Sequence, residues 1–406
     1  MNALNPYPLA ANERQARIDW LMLAALGGLM VMGVFFVYSA TMANDAATRL
    51  DWHNQPWFRQ IIWYSLGTVA MLGAAAVDYR LLARWSLVGY AAIILLLIAV
   101  LIPGIGAEKF GARRWIDLKF FQIQPSEFAK LAFILAMGNF LSRPPDELRS
   151  GRVFWRALGM IVLPFLLIMK EPDLGSALIL LPVGLTMMFA AGVPPRFINM
   201  LIGVSSVLVL LILVDVLFAP PSWQIKLETY QKRRLLVYFG LDGAPRNASP
   251  AEKAEARRAQ RDYSYNVEQA LISVGSGGLF GKGWRQGTQN ALGYLPRAVA
   301  HNDFIFSVVA EEKGFMGSLI VLTLYSVVLF TGIRVAGQAR DRLGKLLAVG
   351  VVAMLFSHVF INIGMNIRIM PVTGVPLPLL SYGGSSVLCS LIAAGLLQNV
   401  YIHRRS

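Results

Sequence analysis

The stretch His301-Asn302-Asp303-Phe304-Ile305-Phe306-Ser307-Val308-Val309-Ala310-Glu311-Glu312-Lys313-Gly314 closes a long polar, basic loop and opens an apolar run that reaches Gly332. Two physical demands meet in it. An apolar run of that length is what a bilayer core requires of a helix. Asp303, Glu311, Glu312 and Lys313, in contrast, are groups that hydrocarbon penalises and that are retained there for function. The stretch therefore reads as the mouth of a membrane span with chemistry at its entrance.

Working outward, the 406 residues are 56% hydrophobic and 15% charged, with a mean hydropathy of +0.55, which excludes an ordinary soluble domain. Ten apolar windows of spanning length recur: Ile18–Thr41, Phe58–Val77, Trp85–Pro103, Pro125–Leu141, Phe154–Met169, Leu174–Ala191, Phe197–Phe218, Phe304–Gly332, Leu346–Met365 and Gly383–Tyr401. Only Lys170-Glu171-Pro172-Asp173 separates the fifth from the sixth, and Pro172 ends the helix before it. The expected fold is an all-α polytopic membrane protein forming one membrane domain over residues 1–406. A large extracytoplasmic loop, residues 219–302, lies between helices seven and eight, and some outer segments are re-entrant.

An even number of spans puts both termini on one side. The short loops of that side carry Arg80, Arg84, Arg143, Arg149, Arg152, Arg196, Arg334, Arg340, Arg342 and Lys345, which assigns it to the cytoplasm of a bacterial cytoplasmic (inner) membrane protein. Arg14, Arg17, Arg404 and Arg405 in the tails agree. The long outer loop is also basic, but loops of that length translocate largely regardless of charge. Its share of the net +14 suits an anionic lipid or phosphate ligand. The single cysteine, Cys389, excludes an intramolecular disulfide and a cysteine-based metal site. The first apolar run is full length, lacks a cleavage site near it, and reads as a retained anchor.

Four outer segments concentrate Gly, Pro and charge. The first contains Arg113 and Arg114 in GARRWI, residues 111–116, and runs into QPSEFAK, residues 124–130. Pro125 suits the first turn of a helix. Glu127 and Lys130, spaced i, i+3, share a face and can neutralise one another, either as a structural bridge or as the wall of a solvated cavity. The second segment, residues 170–173, places Asp173 at a helix N-terminus, where an acid offsets the dipole, and three charges in one turn also suit a cavity rim.

Within the third segment, residues 222–260 read as an exposed helix-rich insertion that includes Lys232-Arg233-Arg234. The run from Gly275 to Gly283 is rich in glycine and contains Lys282, yet Gly283 stands where a P-loop needs Ser or Thr and Ser276 stands at its first glycine. It is not a P-loop; its backbone can approach either a phosphate or a neighbouring helix. The fourth segment, residues 370–386, has three prolines, cannot continue a helix and is too apolar for a solvent loop. A re-entrant segment held against protein is expected. Arg368, just before it, is a lone cation in need of a partner.

Together, GARRWI and QPSEFAK, KEPDLGSAL (170–178), GSGGLFGKGWRQGTQ (275–289) with HNDFIFSVVAEEKGF (301–315), and PVTGVPLPLLSYGGSS (371–386) resemble the SEDS family of cell-wall polymerases, represented by RodA and FtsW. The resemblance covers nearly the whole chain, and PVTGVPLP leans toward the RodA-like branch. It implies a ten-helix peptidoglycan glycosyltransferase that polymerises lipid II on the outer face, releases undecaprenyl pyrophosphate and serves cell elongation and shape. It also implies a class B penicillin-binding protein as the partner that supplies transpeptidation. Substrate and membrane lipids are then the only other partners, with no nucleic acid. The family's essential acid maps onto Asp303, its charged cavity pair onto Glu127 and Lys130, and its acid between helices five and six onto Asp173. Asn302 precedes the acid where Thr is commoner, and three departures stand out: Glu171 and Arg297 replace the usual Gln and Glu and alter charge at the mouth, and Arg368 replaces a frequent Gly.

The chemistry sets two needs. The attacking sugar hydroxyl must lose its proton, which a placed carboxylate promotes, and the departing pyrophosphate must be stabilised by cations, metal or backbone donors. Asp303 is the expected general base, with a helix N-cap as its structural alternative. Arg113, Arg114, Lys130 and Lys282 are the expected pyrophosphate contacts. A divalent cation, Mg²⁺ or Mn²⁺, suits such a leaving group, although no ligand cluster of diagnostic spacing occurs, and no organic cofactor is expected. A precursor transporter (flippase) or a non-catalytic scaffold of the wall-synthesis complex are the alternatives. A transporter would need its essential charges near the bilayer midplane.

Overall fold

The computed structural model describes residues 18–42, 51–109, 112–117, 122–218, 229–241, 264–295 and 300–405. Arg297 and the stretch 251–260 lie outside them. Each of the ten expected spans coincides with a helix. In chain order the elements are α1 (Trp20–Met42), α2 (Pro56–Ala76), α3 (Tyr79–Arg84), α4 (Ser86–Leu101), β1 (Gly106–Lys109), β2 (Ala112–Asp117), β3 (Gln122–Ile123), α5 (Pro125–Leu141), α6 (Pro145–Leu148), α7 (Gly151–Lys170), α8 (Leu174–Ala191), α9 (Pro195–Phe218), α10 (Thr229–Phe239), α11 (264–276), α12 (Thr288–Ala291), α13 (Ile305–Gln338), α14 (Arg342–Asn366) and α15 (Gly384–Ile402). Among the described residues, seven of these helices are long and apolar enough to cross a membrane by length and composition, and α4 is a shorter apolar helix. The chain is a multi-pass membrane protein.

Burial sorts the bundle. In α14 and α15, 72% and 78% of the spanning window is buried, whereas in α9 only 6% is. The first two helices form the centre, and α9 shows Leu208, Val209, Leu210 and Leu211 outward, a face that hydrocarbon satisfies. Helix α2 packs along α15, α13 along α14 and α1, and α8 and α5 along α14. Where α2 ends, Asn399 of α15 donates to the carbonyl oxygens of Ala74, Ala75 and Val77 and accepts from the Tyr79 amide. One buried side chain thus satisfies the groups that two helix termini leave open.

Three findings depart from the sequence expectation. The outer segment before α5 is a small antiparallel sheet, β1-β2-β3, rather than a loop. The eighth span is longer than expected and broken: Gly314 has φ 64° and ψ −156° inside α13. The glycine-rich run docks into that break. Lys282 and Gly283 amides donate to the Glu311 and Glu312 carbonyls, and Phe315 and Met316 amides donate to those of Gly278 and Leu279. A Cβ on Gly281 would stand 2.2 Å from the Glu312 carbonyl oxygen, so the glycines let one backbone re-satisfy another within the bundle. Finally, Arg368 stands exposed rather than within the immersed segment, and with φ 60° its backbone is in the left-handed region that glycine fits without strain.

The proline-rich segment, residues 371–382, is immersed as expected. Six of its carbonyl oxygens are met by side chains: Thr373 by Arg234, Val375 by Asn362, Pro376 by His358, Pro378 by Tyr325, Leu379 by Tyr64 and Ser381 by Gln60. Tyr382 closes the segment by donating its amide to the His301 carbonyl. Irregular backbone survives here because protein groups supply partners that water would otherwise provide.

Candidate active site

Asp303 lies in the turn that precedes α13. The helix N-cap is Phe304 and makes no side-chain cap, so the N-cap alternative for Asp303 does not describe this structure. The side chain is half-buried, and among the described residues no hydrogen bond reaches its carboxylate. Burial pushes its pKa up to about 6; the Arg234 and Arg114 charges oppose that rise and Asp173 adds to it. A carboxylate that no donor among the described residues reaches, poised near neutrality and backed by cations, can accept a proton. Gly374, with φ 75°, brings the proline-rich segment alongside: a Cβ there would lie 3.5 Å from Asp303 Oδ2.

Arg114 is the arginine of the GARRWI pair that turns to this place. The register of β1 and β2 pairs Ala107 with Trp115 and Glu108 with Arg113, leaving Arg114 as the extra residue of a β-bulge, a feature that re-aims side chains. Its Nε donates to the Glu171 carbonyl oxygen at 3.1 Å and its Nη2 to that of Pro172. Arg113 is paired in register with Glu108 and is not among the charges acting on Asp303.

Asp173 caps α8 through the Ser176 amide at 3.2 Å and is held by Ser126 Oγ at 2.9 Å and Gln124 Nε2 at 2.8 Å. Burial alone would raise its pKa, but Arg114 and the hydrogen bonds from Ser176 and Ser126 bring it below the usual carboxylate range. The Gln-Pro-Ser of QPSEFAK therefore pins the second acid. Glu171 is fully buried with neither carboxyl oxygen hydrogen-bonded; burial first, then Asp173, pushes its pKa up to about 9 against the pull of Arg114. At neutral pH it holds its proton and matches the charge of the Gln usual in the family. That corrects the expectation that this departure changes charge at the mouth.

Glu127 and Lys130 do pair, at 2.8 Å, and both are buried. Lys130 Nζ also lies 2.8 Å from His358 Nε2, whose Nδ1 lies 3.3 Å from the Pro376 carbonyl oxygen. An ammonium can only donate, so Nε2 is the acceptor and the ring is neutral with its proton on Nδ1. In this arrangement Lys130 contacts protein oxygen and nitrogen, the structural-bridge form of the pair. Lys282 is likewise committed: its Nζ contacts Ser276 Oγ at 2.8 Å, Thr288 Oγ1 at 2.7 Å and Glu311 Oε1 at 2.7 Å. It braces the glycine loop against broken α13 and is not brought together with Asp303.

The structure thus gathers Asp303, Asp173 and Arg114 and keeps Arg113, Lys130 and Lys282 in other surroundings. It adds Arg234, which the sequence placed in an exposed insertion, and three residues of α14. His358, Asn362 and Asn366 recur every fourth residue in an apolar helix, a one-face polar stripe that is visible in the sequence. His301 is neutral at neutral pH, since burial pushes its pKa down to about 4, and its ring packs at 5.5 Å from that of Tyr382.

Comparison with known proteins places the chain in a family. The FtsW/RodA/SpoVE family model, described as a cell cycle protein, matches residues 19–406. The peptidoglycan glycosyltransferase MrdB of Escherichia coli (strain K12) is 35% identical over 393 residues, 96% of this chain and 95% of the relative. Stage V sporulation protein E of Bacillus subtilis (strain 168) is 37% identical over 394 residues, 95% of this chain and 98% of the relative. A chain in a solved peptidoglycan synthase complex that coordinates polymerization and crosslinking superposes with a TM-score of 0.74 at 26% identity, covering 96% of this chain and 99% of that one.

Proposed function

The chain belongs to the FtsW/RodA/SpoVE family and is a peptidoglycan glycosyltransferase, and we propose that it polymerises lipid II with Asp303 as general base. The observation that carries this is the Asp303 carboxylate, which no hydrogen-bond donor among the described residues reaches and on which the charges of Arg234 and Arg114 act. A hydroxyl of the acceptor sugar attacks the anomeric carbon of the donor, its proton passes to Asp303, and the bond to the lipid pyrophosphate breaks with its electron pair leaving on oxygen. Arg114 and Arg234 face the departing diphosphate, where guanidinium groups offer paired donors. Asp173, pinned by three donors, holds Arg114 in place by charge rather than taking the proton.

A divalent cation fits on one condition. Mg²⁺ takes one or two carboxylates and completes its shell with phosphate oxygens and water. No donor among the described residues reaches the Asp303 oxygens, while both Asp173 oxygens accept protein hydrogen bonds. The ion would supply further charge neutralisation at the diphosphate.

The site end of the bundle is assigned to the outer face, and both termini to the cytoplasm. Support comes from the opposite end, where Arg80 meets Asp341, Arg334 meets Asp19, and Arg342 meets the Ala191 carbonyl; that end bears the short basic loops. Clustering of Asp303, Asp173, Arg114 and Arg234 at one end favours polymerisation over transport, which needs midplane charge. The partner is a class B penicillin-binding protein, in keeping with the synthase complex that the fold matches, and the physiological role is elongation.

The test is purified full-length chain with lipid II, with and without that transpeptidase, read as glycan polymer on a gel. Wild type forms polymer and Asp303→Asn, folded to the same extent, loses roughly 10²–10⁴-fold. Polymer from Asp303→Asn at the wild-type rate would remove the acid from the mechanism.

A further inference from the structure

What fixes Asp303 in its turn is not its own helix. If α13 began one residue earlier, the Asp303 carbonyl would accept from the Ser307 amide and the acid would be wound into the first turn. The Ser307 amide instead donates to the Phe304 carbonyl at 3.0 Å, three residues back. The Asp303 carbonyl oxygen is taken by two side chains of α14: Asn362 Nδ2 at 3.0 Å and Asn366 Nδ2 at 3.1 Å. Both asparagines are fully buried, one helical turn apart on the same face.

Every donor of the two amides is committed. Asn362 Nδ2 also donates to the Val375 carbonyl at 2.7 Å, and Asn366 Nδ2 to the Asn362 carbonyl at 2.8 Å. Orientation is enforced as well: the carbonyls of Asp303, Val375 and Asn362 can only accept, so the nitrogen of each amide must face them, and Ser307 Oγ then donates to Asn366 Oδ1 at 2.5 Å. One amide therefore ties the acid and the proline-rich segment, whose Gly374 lies against the same carboxylate, to a single point on α14.

We propose that Asn362 and Asn366 are positioning residues for the glycosyl-transfer reaction, holding Asp303 out of helix α13 and in register with residues 373–375. The inference rests on Asp303 being the general base. Because neither asparagine is exposed to substrate, loss of either moves the acid rather than removing a substrate contact. A misplacement of about 1 Å costs on the order of 10²-fold in rate.

The experiment measures kcat and KM for lipid II, and the pH–rate profile, for the purified full-length chain carrying Asn362→Ala, Asn366→Ala, Ser307→Ala or Asp303→Asn. Expected are a fall in kcat of roughly 10- to 100-fold for each asparagine variant at unchanged KM, with a displaced acid limb, and a several-fold fall for Ser307→Ala, which keeps both amides and removes the hydroxyl that braces Asn366 Oδ1. If the asparagine variants fail to fold, Ser307→Ala decides alone, and a wild-type kcat overturns the proposal. Folded asparagine variants with wild-type kcat and pH profile, alongside an inactive Asp303→Asn, also overturn it while leaving Asp303 as base. Full activity in Asp303→Asn overturns both readings.

Discussion

Arg234 donates through Nη1 to the carbonyl oxygen of Thr373 at 3.1 Å, fastening a helix of the long loop to the segment that lies against Asp303. The same guanidinium is the strongest of the charges that moderate the Asp303 pKa. A residue from a region that reads as a solvated insertion thus bears on both the architecture and the electrostatics of the site.

Removing that cation removes a force that lowers the Asp303 pKa, so in Arg234→Ala the acid limb of the pH–rate profile moves above its wild-type position near 6. Activity is carried by the ionised form and is lost as pH falls through that value. Loss of one charge-assisted contact of about 2 kcal/mol also lowers kcat/KM by roughly thirtyfold. Arg234→Lys returns the limb toward 6 without restoring paired donation. An unmoved limb in Arg234→Ala would separate this residue from the acid.

Glu171 gives a stability prediction with a defined sign. Its pKa rises from 4.5 to about 9 on folding, so its contribution is complete below about 4.5 and is lost as pH rises through 9. Glu171→Gln has nothing to titrate. The difference in thermal midpoint between Glu171→Gln and wild type should widen in favour of the variant from pH 5 to pH 9, by at most about 1.4 kcal/mol per pH unit. A constant difference across that range would mean that Glu171 is ionised in the folded protein.

Lys282 is predicted to matter for stability before activity. Lys282→Ala leaves fully buried Glu311 without its cation, at a cost of about 3 kcal/mol. Chemical denaturation in detergent should register it, and the KM for lipid II of the folded fraction should equal that of wild type. A raised KM with unchanged stability would restore the phosphate role suggested by the glycine-rich sequence.

For the Glu127–Lys130 pair, the decisive comparison is single against double replacement. Lys130→Met strands a buried carboxylate and is destabilising by about 3–5 kcal/mol, whereas Glu127→Leu with Lys130→Met removes both charges and is close to neutral. Circular-dichroism melts measure the difference. If the stable double variant also loses polymerisation, the pair does more than join α5 to His358 of α14.

Much of the architecture was legible in order of residues. The bounds Pro125–Leu141 and Leu174–Ala191 hold to the residue, because Pro125 and Asp173 mark helix starts by local chemistry. Asp303 and Asp173 were legible because acids at the mouths of apolar helices are costly. Arg114 could not be told from Arg113, since the bulge that re-aims it arises from the register in which β1 and β2 pair, which no residue type announces. The break at Gly314 was hidden too, since a glycine within an apolar run signals nothing until the residues that fill the gap are known.

By itself, then, the sequence determined the membrane class, the positions of the helices and the presence of acids at their mouths, because hydrophobic length and intramembrane charge are local quantities. Tertiary structure alone decided which cations face that acid, which are spent on buried carboxylates, and which amides hold the acid out of its helix. Those choices depend on hydrogen bonds between residues far apart in the chain, such as Asn366 with Asp303 and Lys282 with Glu311, and in a medium that offers no water each donor goes to whichever acceptor folding brings within reach.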